Sequence, residues 1–185
     1  MLKLKFEHLI IICLLLTSCK TENKNEQYVS EINLTENLSD FTNRMTEKDT
    51  IRIFAELNME WWIRRDELLI TKKNNEIQLQ ATIKEDSTFE MKFQMRTNKL
   101  PTIKLKNLNN EFEQHFVNKI NRTEYNSGEQ YIYKIMAPND TLTFYTRGLA
   151  DKGREVKDYY ELMSQYYPNE KEFIPIEIVE KNEIE

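Results

Sequence analysis

The sequence predicts an α+β fold: a mainly antiparallel sheet of about six strands with two or three helices packed on it. Three observations carry this. Apolar and polar residues alternate with period two over residues 51–57 and 77–95, the pattern of strands with one buried and one wet face. These runs follow one another directly instead of alternating with helical stretches, which favours an antiparallel over a βαβ arrangement. Stripes of helical spacing stand before, between and after the strands.

Taken in order, Leu34, Leu38, Phe41 and Met45 recur at helical spacing, with Ser30 or Thr35 as a cap, and predict a helix over 34–47. Ile51, Ile53, Ala55 and Leu57 then alternate with polar neighbours, and Met59, Trp61 and Ile63 continue that odd phase. Leu68 and Ile70 lie on the even phase. A strand cannot change phase without a bulge or turn, which is expected near Arg64-Arg65-Asp66-Glu67. Lys73-Asn74-Asn75-Glu76 reads as a tight hairpin, because asparagine tolerates positive φ. Ile77, Leu79, Ala81 and Ile83 form one amphipathic strand; Phe89, Met91, Phe93 and Met95 form the next. Pro101 ends this meander. Leu108, Phe112, Phe116 and Ile120 make a helical stripe capped by Asn107. Tyr131, Tyr133 and Ile135 predict a strand, Pro138-Asn139-Asp140 a turn, and Leu142 and Phe144 the returning strand. Val156, Tyr159, Tyr160, Met163 and Tyr167 predict a last helix stopped by Pro168, with 147–154 as the loop leading into it. Residues 173–179 fit only an edge segment, since Pro175 excludes a central strand.

The start of the chain is of another kind. Lys3 and Lys5 precede an apolar run from Leu9 to Leu16. That run is too short to span a bilayer and has the length of a signal-peptide core. Leu16-Thr17-Ser18-Cys19 follows: an aliphatic residue, two small residues and a cysteine. This resembles the lipobox of bacterial lipoproteins. The resemblance covers the first 20 or so residues and implies cleavage before Cys19, diacylglycerol on its thiol and acylation of the new amine. Lys20 at the next position implies sorting to the outer membrane, facing the periplasm or the cell surface. On this reading 1–18 is a signal peptide, and 19–30 is the lipidated cysteine with a flexible polar tether. Residues 31–179 then form a single α+β domain, and 180–185 a loose acidic tail. No family resemblance is seen in residues 20–185.

Composition narrows the chemistry. The chain has 26 basic and 31 acidic residues, a net charge of −5. The two signs are interleaved, so the basic stripe that nucleic-acid binding needs is lacking. The two cysteines are Cys13, inside the leader, and Cys19, which leaves the exported part with neither thiol nor disulfide. His115 is the one histidine after the leader and reads as an ordinary helix-surface residue; a zinc site draws several His or Cys ligands, and a serine triad would have to use the same lone histidine. Gly148 and Gly153 do not have the spacing of a phosphate loop. Paired acids such as Glu56 with Glu60, or Asp66 with Glu67, offer acid–base chemistry in principle. No metal, cofactor or catalytic residue is expected, and the chain is expected to be a monomer.

Trp61 and Trp62, read as neighbours on one strand, would point to opposite faces. One of them is then left for a ligand, and exposed aromatics are favoured as binding anchors. Asp49-Thr50, Asp86-Ser87 and Asp140-Thr141 resemble a short O-glycosylation motif of exported proteins in some Gram-negative bacteria, which implies Thr50, Ser87 and Thr141 as carriers; Asp and Thr also simply favour turn-to-strand junctions. The expected function is therefore a lipid-anchored extracytoplasmic binding module for a protein, of the immunity or inhibitor type. The alternatives are a small-ligand or glycan-binding lipoprotein using the sheet face, and a hydrolase working with carboxylates alone.

Overall fold

The structure is a computed structural model and describes residues 28–60, 62–86 and 95–174. The leader with Cys19, Trp61, Ser87, the Phe89–Phe93 part of the predicted strand, most of the 173–179 segment and the acidic tail lie outside the described residues. The order of elements is α1 (Leu34–Asn37), α2 (Phe41–Arg44), β1 (Thr50–Glu56), β2 (Ile63–Lys73), β3 (Glu76–Asp86), β4 (Arg96–Lys99), β5 (Ile103–Lys104), α3 (Glu111–Val117), β6 (Gln130–Met136), β7 (Thr141–Thr146) and α4 (Gly148–Tyr166). The fold is α+β, with seven strands and four helices among the described residues. Every strand pair is antiparallel. The sheet runs β4-β3-β2-β1-β6-β7, with β5 beside β3.

The period-two pattern sets the buried face. Ile53 of β1 lies between Leu68 and Ile135 in the ladder, and Leu68 is opposite Ala81. All four are buried. The turn at Asn74 and Asn75 has φ of 50° and 60°, a primed hairpin geometry that asparagine accepts at low cost. The change of phase between β1 and β2 is made earlier than the sequence suggests. It falls at a turn over Met59–Trp62, closed by an isolated bridge between those two residues. Arg64 and Asp66 therefore belong to β2 itself, on its buried phase.

The predicted helix over 34–47 is two short helices. Asn33, and neither Ser30 nor Thr35, is the cap: its Oδ1 accepts from the amides of Thr35 and Glu36. Leu34, Leu38, Phe41 and Met45 are all buried, so the stripe marks the buried face although the helix breaks. Glu113 of α3 is buried and accepts from the Thr42 hydroxyl, the Thr42 amide and Asn107, which ties α2 to α3. Within the third stripe Phe112 and Phe116 are buried, but Leu108 and Ile120 are 74% and 48% exposed; α3 is shorter than predicted and its flanks are 3-10 turns.

Helix α4 crosses the covered face. At its end Tyr159 donates to Asp66 Oδ2 at 3.0 Å and Tyr167, just beyond it, accepts from the Ala81 amide at 3.1 Å. The second bond gives the Ala81 amide an acceptor where β3's edge partner is interrupted between β4 and β5, and the same hydroxyl lies within hydrogen-bond distance of the Leu79 and Pro101 carbonyls. Residues 148–154 form the first two turns of α4 and not a loop. Their inward side chains are Asp151, Lys152 and, one turn on, Glu155, which is why an apolar stripe does not reveal them.

Candidate functional site

At the end of the sheet where β6 begins and β7 finishes, the chain leaves a cleft of about 680 Å³. Its walls are the β1–β2 turn, the 123–130 segment and the first turn of α4. Tyr125, Tyr131, Tyr145, Met59, Leu149 and Lys152 line it, with Glu56 and Glu60 at its side. Tyr125 is 61% exposed and Leu149 44%; the Tyr125 and Tyr145 rings meet edge to face at 5.2 Å. A second hollow of about 320 Å³ adjoins it, lined by Arg122, Arg147, Arg154, Asp151 and Glu129.

Local backbone chemistry builds this face. Gly128, at φ +87°, takes a left-handed turn that side chains resist. This closes the loop in which the Asn126 amide donates to Glu129 Oε2 at 2.9 Å. A bulge in β6 between Tyr131 and Tyr133 re-aims Tyr131. By simple alternation the two tyrosines would share a face; instead Tyr133 and Ile132 are buried and Tyr131 turns to the cleft, as bulges commonly redirect a side chain.

Two acids of this face, Glu56 and Asp151, are held. Glu56 accepts from Arg65 at 2.7 Å, Tyr131 at 2.7 Å and Asn58 at 2.5 Å. Burial and the negative Glu56 raise the Tyr131 hydroxyl above its ordinary pKa. The hydrogen-bonded Arg122 beside Asp151 holds that carboxyl down at about 2. Burial depresses the Lys152 ammonium, with Glu56 pulling weakly the other way. Glu56 and Glu60 do share the cleft, but Asp66 and Glu67 are on opposite faces of β2: Asp66 is buried against Arg64 at 2.8 Å, and Glu67 lies 3.6 Å from Arg52.

Trp62 does not line the cleft. It is half-buried at the β1–β2 turn, tilted against Tyr160 at 6.4 Å and with the Arg64 guanidinium 5.6 Å from its ring. Trp62 sits at a bridge with Met59 and not inside a strand, so the expected alternation does not apply to it; Trp61 lies outside the described residues. Thr50 and Thr141 are exposed at the starts of β1 and β7. Their preceding aspartates have structural work: Asp49 accepts from Thr46 and Tyr28, and Asp140 from the amides of Leu34 and Thr35.

His115 differs from a surface histidine. Its ring packs edge to face on Phe116 at 5.1 Å and on Tyr133 at 5.4 Å, and its Nε2 is buried without a hydrogen-bond partner among the described residues. Burial, helped by the Lys119 charge and opposed by Asp158, pushes it down to about 3. One signal for the tyrosine face is visible in the sequence: Ile132 is apolar out of phase between Tyr131 and Tyr133, the mark of a bulge. No known protein family matches the chain, and no significant relative was found among curated proteins or solved structures.

Proposed function

We infer that this chain is a lipid-anchored extracytoplasmic binding module that docks a protein partner, of the kind that neutralises or inhibits it, and catalyses nothing. One observation supports the docking surface most: exposed Tyr125 and Leu149 stand beside half-buried Tyr131 and Tyr145 around one cleft. Large amphipathic rings on a rigid sheet end are what protein interfaces use as anchors. The acids nearest the cleft floor serve arginines and tyrosines, which suits a recognition surface better than acid–base catalysis. The lipobox-like Leu16-Thr17-Ser18-Cys19 supports the anchor, and two or more acyl chains suffice for stable membrane attachment.

A soluble form beginning at Lys20 is the reagent for the test, in calorimetry against proteins encoded beside it and against soluble cell-wall glycans. Tyr125→Ala is expected to weaken protein binding by about 2 kcal/mol or more, as truncated anchors do. Unchanged affinity refutes the tyrosine face, and turnover of any ligand refutes the non-catalytic reading. For the anchor, Cys19→Ala is expected to release the protein from membranes washed at high salt; retention refutes lipidation. A glycan is the second reading, favoured by the Tyr125–Tyr145 pair, whose rings could stack on a sugar.

A further inference from the structure

The helices cover one face of the sheet. Leu34, Phe41, Phe112 and Tyr159 join Ile53, Leu68 and Ala81 in a single core. The opposite phase of the strands carries no helix among the described residues, and the ladder sets its side chains out in rows. In one row Lys99, Thr82, Glu67, Phe54, Lys134 and Thr143 stand side by side, one from each strand from β4 across to β7. At about 4.8 Å per strand this row is about 24 Å wide. Leu69 lies diagonal to Phe54, and both are half-buried without joining the core. Tyr131, Tyr145 and Glu56, which line the cleft, are on the same phase, so the cleft and the open face are continuous.

The charge of this face runs against that of the chain. Arg52, Arg65 and Lys104 are paired with Glu67, Glu56 and Glu76. Lys73 and Asp86, at opposite ends of the β2–β3 hairpin, cancel in the sum. Lys84, Lys99 and Lys134 remain, and they make no ion pair among the described residues. The cleft does not change the balance: Glu129 is paired with Arg147, and the charges of Glu60 and Lys152 cancel. The open face thus holds a surplus of three positive charges on a chain whose net charge is −5.

We propose that the open sheet face and the tyrosine cleft form one docking surface, and that its occupant is a protein presenting acidic side chains to Lys84, Lys99 and Lys134 around an apolar contact on Phe54 and Leu69. The ladder sets the pattern those acids must match. Lys84 and Lys99 are diagonal neighbours about 8 Å apart, and Lys134 is about 20 Å from Lys99, four strands away. The face is about 24 Å across and, along strands of seven to eleven residues, about 24–36 Å long. That is close to the roughly 800 Å² that each partner buries in a standard protein complex. Glu56 and Glu67 stand among the cations, so a continuous run of phosphates, in nucleic acid or at a lipid surface, meets repulsion there. Carboxylates set at three points do not. A second copy laid face to face would bring lysines against lysines. The proposal rests on the protein-docking reading for the class of partner; the placement of its acids is tested apart from the cleft.

The experiment is an amide-resolved NMR titration of the ¹⁵N-labelled soluble form at constant ionic strength. The probes are a decaglutamate peptide, a single-stranded DNA of equal charge, and phosphatidylglycerol vesicles. Decaglutamate is expected to shift the Phe54, Thr82, Lys99 and Lys134 amides saturably. Lys84→Gln, Lys99→Gln and Lys134→Gln made together are expected to lower its affinity at least about tenfold, the loss of three exposed charge contacts; as surface changes they leave the fold intact. Lys48→Gln, Lys157→Gln and Lys171→Gln made together remove the same charge from exposed positions off the strands, and are expected to change the affinity less than about twofold. An equal loss in the two triple variants means attraction by net charge only and overturns the proposal, as does the absence of shifts at the named amides. Tighter binding of the DNA or the vesicles than of the peptide overturns the protein assignment. A dimer in light scattering that dissociates in the Lys84, Lys99 and Lys134 variant overturns it in favour of a second copy. Tyr125→Ala is expected to leave the decaglutamate affinity unchanged while weakening a protein encoded beside this one, so either idea can fail alone.

Discussion

Replacing His115 by phenylalanine should change how stability depends on pH more than it changes stability at neutrality. The ring packs on Phe116 and Tyr133 and leaves Nε2 buried with no hydrogen-bond partner among the described residues. A phenyl ring keeps those contacts and removes the unsatisfied nitrogen, so at pH 7 the variant should match the wild type or exceed it by about 1 kcal/mol. The acid limb is different. In the unfolded chain the imidazole takes up a proton near pH 6.5, while in the folded protein it resists until about pH 3. Between those values the unfolded state binds the extra proton. Stability from this site is therefore complete above pH 6.5 and is lost as pH falls, at about 1.4 kcal/mol per pH unit. Between pH 6.5 and pH 5 the wild type should lose about 2 kcal/mol relative to His115→Phe. The assay is urea denaturation of both proteins from pH 7.5 to pH 5, compared at equal m-values. Carboxylates that titrate in this range do so in both proteins and cancel in the difference. Parallel stability profiles, or a histidine titrating near pH 6.5 by NMR, would refute the buried-neutral assignment.

Two other substitutions probe features that hold the sheet and α4 together. Asp66→Asn breaks the ion pair with the buried Arg64, whose guanidinium lies between the rings of Trp62, Tyr160 and Phe173; it should destabilise by about 3–5 kcal/mol in urea melts, and a loss below about 1 kcal/mol would mean the charge is hydrated. Tyr167→Phe leaves the Ala81 amide without its acceptor and should cost about 1–3 kcal/mol, with that amide exchanging faster with deuterium; unchanged exchange would show that another acceptor serves it.

What could be read in the sequence depended on whether burial was achieved with apolar residues. The β1 and β3 phases, the Asn74-Asn75 turn and the Phe112–Phe116 stripe were legible because hydrophobic period and turn chemistry state them directly. Arg64 and Asp66 were not, because a charged pair on the inward phase of β2 looks like solvent-facing residues and pushed the expected break into the strand. The same holds for the first half of α4, where Asp151, Lys152 and Glu155 occupy the inward positions. Of the site, the bulge at Ile132 and the left-handed Gly128 left traces. The convergence of Tyr125, Tyr131 and Tyr145 did not, since it joins the start of one strand, the end of the next and the loop before them. Trp62 stands out in the sequence as one of two adjacent tryptophans expected on opposite faces of a strand, but its ring packs on Tyr160 and Arg64.

The way the first described residues are fastened gives the molecule a direction. Asn139 and Asp140, at the β6–β7 turn, bind the Ser30 carbonyl and the Leu34 and Thr35 amides, while Tyr28 bonds Asp49 just before β1. The tyrosine cleft is at the far tip of that same hairpin, about 20 Å away along the seven residues of β6. The nine residues from Cys19 to Tyr28 can stretch to about 30 Å at most. With lipid on Cys19, the leash leaves from the pole opposite the cleft. On the proposed lipid anchoring, the cleft lies on the side of the domain away from its attachment point, open to whatever approaches from solution.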